Sequence, residues 1–598
     1  MIKIWRFCPH DESCVRQLSR ELDISALLAQ VLIARGYNSG QPAAEFLNAK
    51  LVDLHQPDLL PGIPEAVDRI VAAIHAGRRI TIYGDYDVDG VAAISLLWHC
   101  LKLANATVDY YIPHRLEEGY GLNCDAIRQL HEEDPGRLVI TVDCGIANLQ
   151  EAILAKELGL ELIVTDHHQI SCDLSESQQL PEAACLVHPR LAGTDYPFGE
   201  LCGAGVAFKL AWGICQRLGG GRKTSPQMRE FLKSSVGLAA MATIADVVPL
   251  VDENRVLVRY GLNSLSERRS PGLQALMKVT GIEKNRRLQT EDIGYALAPR
   301  INAAGRLGQA RLAVELLTTD NQDRAEALAG YLDKLNKNRQ TVERRIFKQA
   351  KELVAKNPLW GDQAALVLQH SEWHAGVIGI VASRVAEHFE KPAVLISLSQ
   401  QNDISQGSGR SFAKFDLHAG LSACAEHLCS FGGHRAAAGL KIEGTRIAAF
   451  REAFCRYAVK HHSTGTREEL RIDAEVRLAD LTRRAVNELE RLGPFGQDNP
   501  RPVFAASKVE LAEPPRKMGE GERHLALKVR HYGSVMRAIA FGRGEWADQI
   551  ASVDGPISIS FHPNINSYRG RESIELRLID WKAETSVAVP VDQRSGIG

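Results

Sequence analysis

The sequence predicts an α/β protein: two α/β units joined by one long helix, with a small β-barrel after them. Three observations carry this expectation. Short apolar runs alternate with helical stretches from Ile80 onward and again from residue 364. Residues 321–357 hold no glycine or proline except Gly330. From about 468 the pattern turns to period-two alternation without long helices. The first pattern implies βαβ units around mainly parallel sheets. The second allows a helix of roughly 55 Å at 1.5 Å per residue. The third implies a small antiparallel barrel or sandwich.

In chain order, residues 1–50 read as a helical segment that leads into Pro57, Pro61 and Pro64. The first α/β unit is expected over 51–270, with strands at 79–83, 107–112, 137–142 and 161–165 and a closing helix near 229–245. A connector over 271–357 ends in the long helix. Its apolar residues recur at helical spacing (Leu328, Tyr331, Leu332, Leu335, Val342, Ile346, Ala350), and its many charges leave much of it to solvent. The second unit, 358–465, has expected strands at 364–369 and 393–397, helices at 376–389 and 417–429, and a glycine-rich turn at 431–439. The barrel occupies 466–583, and 584–598 reads as a disordered tail.

Composition narrows the class. With 598 residues the chain should divide into three or four domains of about 100–200 residues each. Net charge of −2 announces no nucleic-acid partner, although a basic surface cancels against acidic sites in the sum. No run approaches the ~18 apolar residues of a membrane helix, and Met1–Arg6 lacks the apolar core of a signal peptide. Twelve scattered cysteines with no Cys-x-x-Cys pair indicate neither a zinc ribbon nor a disulfide framework. A reducing cytoplasm is the expected compartment.

The strongest chemical signal is Gly84-Asp85-Tyr86-Asp87-Val88-Asp89-Gly90, directly after the first strand. In extended chain, alternate residues point to one side, so Asp85, Asp87 and Asp89 would converge. Their repulsion calls for a cation. An EF-hand is excluded: counted from Asp85, position 12 is Leu96 where that loop needs a bidentate Glu. Asp143 follows the strand at 137–142, and Asp166-His167-His168 follows the strand at 161–165. Ligands of open α/β sheets bind beyond the carboxyl ends of the strands, so these residues face one crevice. Asp246, ending the helix near 229–245, can reach it too. Singly, each has a plain reading, since an Asp after a strand often caps the next helix. Together, carboxylate oxygens and imidazole nitrogens favour Mn²⁺ or Mg²⁺ over zinc.

Here the chain resembles the DHH phosphoesterase family, and its motif order is similar to that of the bacterial single-strand exonucleases within it. The residues that carry the likeness are Asp85–Gly90, Val142-Asp143-Cys144-Gly145, Asp166-His167-His168, Ala245-Asp246, Ala298–Arg306 and Gly432–Gly439. The resemblance implies a parallel-sheet DHH domain, a smaller DHH-associated domain, and two divalent cations, Mn²⁺ or Mg²⁺. Asp143 would bridge them, with Asp87 and Asp85 on one ion and Asp89, His167 and Asp246 on the other. Spacing does not settle which carboxylate binds which ion. Two cations about 3.5–4 Å apart can activate a water and neutralise charge on the attacked phosphate. His168 would contact the scissile phosphate or a metal-held water, and Asp166 would orient the neighbouring histidines.

The resemblance also implies a substrate side. Gly432, Gly433 and His434 would face phosphate in a turn with free backbone N–H groups. Arg300, Ser408 and Arg410 would capture a 5′-terminal phosphate, with Arg306 nearby, because guanidinium grips phosphate bidentately. Arg115 and Tyr120 would hold a phosphate and stack on a base. The last domain looks like an OB-fold. Between Arg501 and Arg543 it carries nine Lys/Arg against four Glu, among them Arg516, Lys517, Arg523, Lys528 and Arg530. Basic grooves with aromatic platforms, here Phe541 and Tyr568, hold single strands. The implied activity is a 5′→3′ exonuclease on single-stranded DNA that releases 5′-mononucleotides in repair and recombination. It would act as a monomer, away from membranes, with a single-strand binding protein and a helicase as partners. One rival is a DHH hydrolase of short oligonucleotides or cyclic dinucleotides, which lacks the β domain. A second is a non-catalytic DNA-binding scaffold, which needs none of Asp87, Asp89, Asp143, His167 and Asp246.

Overall fold

Five parallel strands form the sheet of the first α/β unit, in the order Thr107–Tyr111, Arg79–Gly84, Leu138–Val142, Glu161–Thr165, Cys185–Val187. The middle strands are apolar on both faces, with Ile80, Ile82, Val139, Ile140, Leu162 and Ile163 buried. Such strands need helices on both sides. The computed structural model describes residues 3–115, 117–170, 178–221, 224–267, 270–283, 286–399, 403–461, 469–568 and 571–584. The tail expected at 584–598 lies outside these residues, apart from Glu584. Strand order reverses between Arg79–Gly84 and Leu138–Val142, which makes the switch point where the carboxyl ends diverge and a crevice opens. Cys185–Val187, a three-residue edge strand, gave no pattern in the sequence.

Helix Val88–Leu103 follows the first strand and is buried on nearly every side, from Val91 and Ala92 to Cys100 and Leu101. It packs against helices Gly203–Leu218 and Pro226–Ala245. The long helix, Gln322–Lys356, has 35 residues and so spans about 52 Å. It packs against helices Pro271–Thr280, Ala298–Arg306 and Ala375–Phe389. Its Ile346, Ala350 and Val354 share a core with Trp373, Val377, Val381 and Val385. A π turn, Ile293–Leu297, precedes Ala298–Arg306. Pro299 has no N–H for a regular helical bond, and the widened turn absorbs that gap.

The second sheet runs Ser430–Gly433, Ala437–Glu443, Ile404–Arg410, Ala393–Ser397, Leu366–His370, and only its last pair is parallel. The helix expected at 417–429 stops at Ser422, followed by a short turn at Ala425–His427. The glycine-rich turn is the tip of a β-hairpin.

The chain divides into two units, residues 50–466 with 496–498, and residues 1–49 with 467–495 and 499–598. In the second, strands Phe504–Leu511, Ile557–Tyr568, Arg571–Ala583, Ser534–Ala540 and His524–His531 close into a ring. Closure leaves no open edge in that ring. One seam, Arg537–Ile539 with Glu575–Arg577, is parallel, which corrects the expectation of antiparallel pairing throughout. The N-terminal segment is not purely helical. Ile4–Phe7 is a strand paired in parallel with Glu469–Ile472, whose partner lies too far along the chain for local pattern to reveal it. Helices Glu12–Leu22, Ala26–Ala34 and Gly40–Leu47 follow. Their Leu28, Val31 and Leu32 share one core with Phe504, Phe561 and Leu576 of the barrel.

Leu28→Ala should therefore cost about 2–5 kcal/mol. In urea unfolding followed by barrel tryptophan fluorescence, a loss below about 1 kcal/mol would mean that Leu28 fills no shared core.

Candidate metal centre

The acidic motif does not stay extended. Asp85 follows the strand, but Asp87 is the N-cap of helix Val88–Leu103, and its Oδ1 accepts from Asp89 N at 2.8 Å and Gly90 N at 3.2 Å. Asp89 therefore sits in the first helical turn rather than on the extended alternation expected. The three carboxylates still converge, because the cap turns the chain towards the crevice. A Cβ at Gly90 would lie 2.5 Å from the Asp85 carbonyl oxygen, so the close turn requires glycine. Asp89 accepts from Gly203 N at 2.6 Å and Ala204 N at 2.7 Å, the free amides that open helix Gly203–Leu218. Such amides and the helix dipole favour negative charge. Gly203 is required as well, since a Cβ there would meet the Asp143 Cβ at 2.6 Å.

Asp143 sits at φ +62°, and Val247, just after Asp246, at φ +61°. Left-handed backbone in a non-glycine residue costs about 1–3 kcal/mol and persists where the surroundings over-determine it. His167 Nε2 lies 3.2 Å from Asp143 Oδ1, 3.6 Å from Asp89 Oδ2 and 3.7 Å from Asp246 Oδ2. Three groups gather ligand atoms within 4.8 Å of one another: Asp85 with Asp87 and Asp143, Asp89 with His167 and Asp246, and Asp143 with His167 and His168. Asp143 thus belongs to two of the three groups, and His167 links it to the Asp89 group.

The electrostatics fit cations. Burial, then Asp87, pushes Asp85 well above the usual carboxylate range. Burial, then Asp89, raises Asp87. Burial followed by Asp89, Asp87, Asp85 and Asp246 raises Asp143 strongly. Burial with Asp89 and Asp87 brings Asp246 up to about 8. Burial lowers His167 to about 4, which leaves a neutral imidazole. Asp85 Oδ1, Asp143 Oδ1 and His167 Nε2 are buried with no hydrogen-bond partner. Buried polar atoms are rarely orphaned, and oxygens and a neutral imidazole converging this way form a ligand set suited to Mn²⁺ or Mg²⁺.

Asp166 is built differently. It accepts from Ile146 N at 2.9 Å, His167 N at 2.7 Å, His168 N at 3.1 Å and His168 Nδ1 at 2.8 Å. Burial opposes its charge, but these donors and the nearby imidazoles hold it below the ordinary carboxylate range. Burial likewise opposes charge on His168, yet Asp166, Asp246 and Asp89 bring it up to about 9. The Tyr120 hydroxyl lies 2.9 Å from the Asp143 carbonyl oxygen and 3.0 Å from His168 Nδ1.

A positive pocket borders this negative one. The Arg115 guanidinium packs 4.7 Å from the Tyr86 ring centre, between Asp85 and Asp87 in the chain. Burial, then Arg115, Arg339 and Arg410, holds Arg306 down at about 10. Burial and Arg115 also lower Arg410. Arg410 Nη1 donates to Ser408 Oγ at 3.1 Å, and a Cβ on Gly379 would meet both side chains within 3.1 Å, which sets them beside helix Ala375–Phe389. Gly432, Gly433 and His434 sit at the exposed hairpin tip, and Ala437 in that hairpin is in register with Arg410. Arg300 is engaged elsewhere: Nε donates to Asp333 Oδ1 at 2.9 Å, Nη2 lies 2.8 Å from the same oxygen, and Nη1 donates to the Ala296 carbonyl at 2.6 Å. Its guanidinium forms a structural ion pair.

Other contributing residues escaped sequence reasoning. Gly203 and Ala204 were signalled only by a run of small residues opening a helix. Asn302 lay inside a quoted motif, and its Oδ1 accepts from Val88 N at 3.2 Å. His188, bonded to the His168 carbonyl at 2.8 Å, had no local signal.

On the barrel, Arg516, Lys517, Arg523, Lys528 and Arg530 are all exposed. Lys517 pairs with Asp548 at 2.7 Å and Lys528 with Glu513 at 2.7 Å. Exposed pairs of this kind contribute little to stability. Phe541 is exposed beside Arg577, and the side chain of Tyr568 lies outside the described residues.

The repulsion among buried carboxylates yields a prediction. Mn²⁺ at a hundredfold excess over its Kd should stabilise the protein by about 2.7 kcal/mol per site, a gain that EDTA reverses. Asp143→Asn should raise the metal-free melting temperature and remove most of the Mn²⁺ increment. A variant less stable without metal than the parent would contradict the repulsion.

Comparison with known proteins agrees with this geometry. Family models match at residues 79–243 (DHH family, N-terminal domain), 362–460 (DHHA1 domain) and 472–580 (RecJ OB domain). The single-stranded-DNA-specific exonuclease RecJ of Bacillus subtilis is 37% identical over 96% of this chain and 70% of its own length. A crystal structure of RecJ in complex with Mn²⁺ from Thermus thermophilus superposes with a TM-score of 0.81 at 31% identity, covering 97% of this chain and 79% of that one. A Mg²⁺ complex from the same organism gives 0.74 at 29% identity, over 97% of this chain and 78% of that one. With its three matched domains in this order and such identity over nearly its whole length, the chain belongs to the RecJ family of single-stranded-DNA-specific exonucleases.

Proposed function

We propose that this chain is a Mn²⁺- or Mg²⁺-dependent exonuclease that degrades single-stranded DNA from its 5′ end and releases 5′-mononucleotides in DNA repair and recombination. The observation that carries the reading is three overlapping ligand groups, two of them sharing Asp143, beside a pocket of half-buried arginines. Asp85 and Asp87 would hold one cation, Asp89, His167 and Asp246 the other, and Asp143 both. When bound, two such cations supply an activated water and neutralise charge during in-line displacement at phosphorus.

The residues around the cations have separate tasks. Asp166 binds His168 Nδ1 and keeps the ring charged, which leaves Nε2–H as a donor to a phosphate oxygen. Arg115, Arg306, Arg410 and Ser408 would seat the terminal 5′-phosphate, and His434 with Gly432 and Gly433 the backbone near it. Cleavage of the P–O3′ bond then frees a nucleotide bearing its own 5′-phosphate and a 3′-hydroxyl. The remaining strand ends in a new 5′-phosphate that fits the same pocket, and this explains the 5′→3′ direction. Arg300 is left out of the pocket because Asp333 occupies it. The exposed cations of the barrel would track the strand backbone.

An enzyme confined to unpaired strands needs other proteins to expose and present them. A helicase and a single-strand binding protein are the partners this reading requires, and the chain would act as a monomer. The eleven cysteines among the described residues are all free, which fits the reducing cytoplasm this reading expects. Among the described residues, no helix is long and apolar enough to cross a membrane.

Single strands labelled at the 5′ or 3′ end, incubated with Mn²⁺ or EDTA, test this directly. Metal-dependent release of the 5′ label as a mononucleotide, abolished in Asp143→Ala, is expected. Binding without cleavage, or preference for dinucleotides over long strands, would overturn the reading. Arg410→Ala should reduce the preference for a 5′-phosphate over a 5′-hydroxyl by about tenfold, the equivalent of roughly 1.4 kcal/mol of one charge-assisted contact. An unchanged preference would remove Arg410 from the pocket.

A further inference from the structure

We propose that the Tyr120 hydroxyl is a positioning group for the metal centre: it pins the backbone of Asp143 and the ring of His168, a task separate from any stacking of its ring on a base. The inference deepens the nuclease reading and rests on it. Asp143 brings its carboxylate to two of the ligand groups from a left-handed backbone, φ +62°, a conformation open to aspartate but one that its surroundings must hold. Part of that support is visible. Tyr120 Oη donates its single proton to the Asp143 carbonyl oxygen at 2.9 Å, on the peptide that follows the strained residue.

The same oxygen then has only lone pairs left to offer, and His168 faces them. Its Nδ1 lies 3.0 Å away and its Nε2 3.3 Å away, so the hydroxyl sits off the ring edge between the two nitrogens. Nδ1 is also 2.8 Å from Asp166 Oδ1. The Nδ1 hydrogen goes to the Asp166 carboxylate, while the phenol oxygen packs against the ring edge between the two nitrogens, and the two contacts together restrict the ring's rotation. One oxygen thus ties together the residue shared by two ligand groups and the residue assigned to the phosphate.

The phenol is itself held in place. Tyr83 Oη donates to the Gly121 carbonyl at 3.0 Å, beside Tyr120 in the chain. Asn148 clasps Leu122 by two bonds, accepting from its N at 3.3 Å and donating to its O at 3.1 Å. The Tyr120 ring meets Tyr86 edge-on at 6.5 Å and His168 edge-on at 5.5 Å. The loop is stapled to the end of the sheet, and the hydroxyl is delivered to the Asp143 peptide as a fixed point. Groups that orient metal ligands from behind contribute about 10–100-fold to metal affinity or activity.

Tyr120→Phe removes the oxygen and keeps the ring; Tyr120→Leu removes both. For Tyr120→Phe, kcat on single-stranded DNA should fall about 10–100-fold with KM for DNA unchanged. Mn²⁺ binding to the same protein without DNA, followed by electron paramagnetic resonance, should weaken by a similar factor. Tyr120→Leu should match Tyr120→Phe in kcat and Mn²⁺ affinity. A Tyr120→Phe enzyme equal to the parent in both would overturn the proposal, as would a defect confined to KM. Such a KM defect in Tyr120→Leu alone would assign the side chain to base stacking. If the parent protein itself released no nucleotide, the nuclease reading would fail instead, and the Mn²⁺ measurement would still decide whether Tyr120 supports the ligand set.

Discussion

Five carboxylates gathered in a largely buried crevice repel one another, and this repulsion is the constraint around which the first α/β unit is arranged. Asp85, Asp87, Asp89, Asp143 and Asp246 all lie within reach of His167 or of one another, and burial with mutual charge raises four of them. A protein evolved for stability alone would not assemble such a group. The surroundings offset the repulsion where they can without filling the ligand positions. The amides of Gly203 and Ala204 bind Asp89, and the Asp87 side chain caps its own helix. What remains unsatisfied is two buried oxygens, Asp85 Oδ1 and Asp143 Oδ1, and the buried His167 Nε2.

The arrangement separates two kinds of charge over a short distance. Asp166 shows what a fully satisfied buried carboxylate looks like here, with four donors and a lowered pKa, and it differs from its neighbours for that reason. Beyond Tyr86, burial and neighbouring guanidiniums lower Arg306 and Arg410, as burial and neighbouring carboxylates raise the acidic set. Each cluster is unfavourable alone, and each is relieved by a component of the same reaction: cations for the acidic set, a phosphorylated strand for the basic one. The nuclease reading explains both clusters with one ligand system.

Most of this was legible in the sequence because it is local. Strand-then-Asp motifs identify the carboxyl ends of parallel strands, and the fold brings adjacent ends together, so Asp85, Asp143 and Asp166 were placed by topology alone. The long helix was legible because its apolar period survives over 35 residues without a breaker. What was not legible depends on partners distant in sequence. Strand Ile4–Phe7 exists through pairing with Glu469–Ile472, and its four residues carry no pattern of their own. Asp89 was expected on an extended segment because the alternation is real, but the Asp87 cap overrides it within two residues. Arg300 looked like its motif neighbour Arg306. Only the structure distinguishes an arginine facing a helix carboxylate from one facing other arginines.

Under the proposed function, that distinction bears on how a 5′ end would be measured against the scissile bond. Arg300 ties helix Ala298–Arg306 to the long helix through Asp333, and Lys337 adds a second cation to the same carboxylate at 2.8 Å. Further along the long helix, Glu343 takes Arg339 at 3.0 Å and Arg384 at 2.8 Å, and Arg384 belongs to the helix beside Ser408 and Arg410. Asn302, on the Arg300 helix, accepts from the amide of Val88 at the metal motif. Separate polar contacts therefore tie the Asp87-Val88 turn to helix Ala298–Arg306 through Asn302, that helix to the long helix through Arg300 and Asp333, and the long helix to helix Ala375–Phe389 through Glu343 and Arg384. All of it rests on helices rather than loops. On the proposed function, the 35-residue helix would set the spacing between the phosphate pocket and the carboxylate cluster, and a strand seated at one would present a fixed phosphodiester at the other. In this reading Arg300 contributes to where the cut falls without touching the DNA, which is why its guanidinium is already filled.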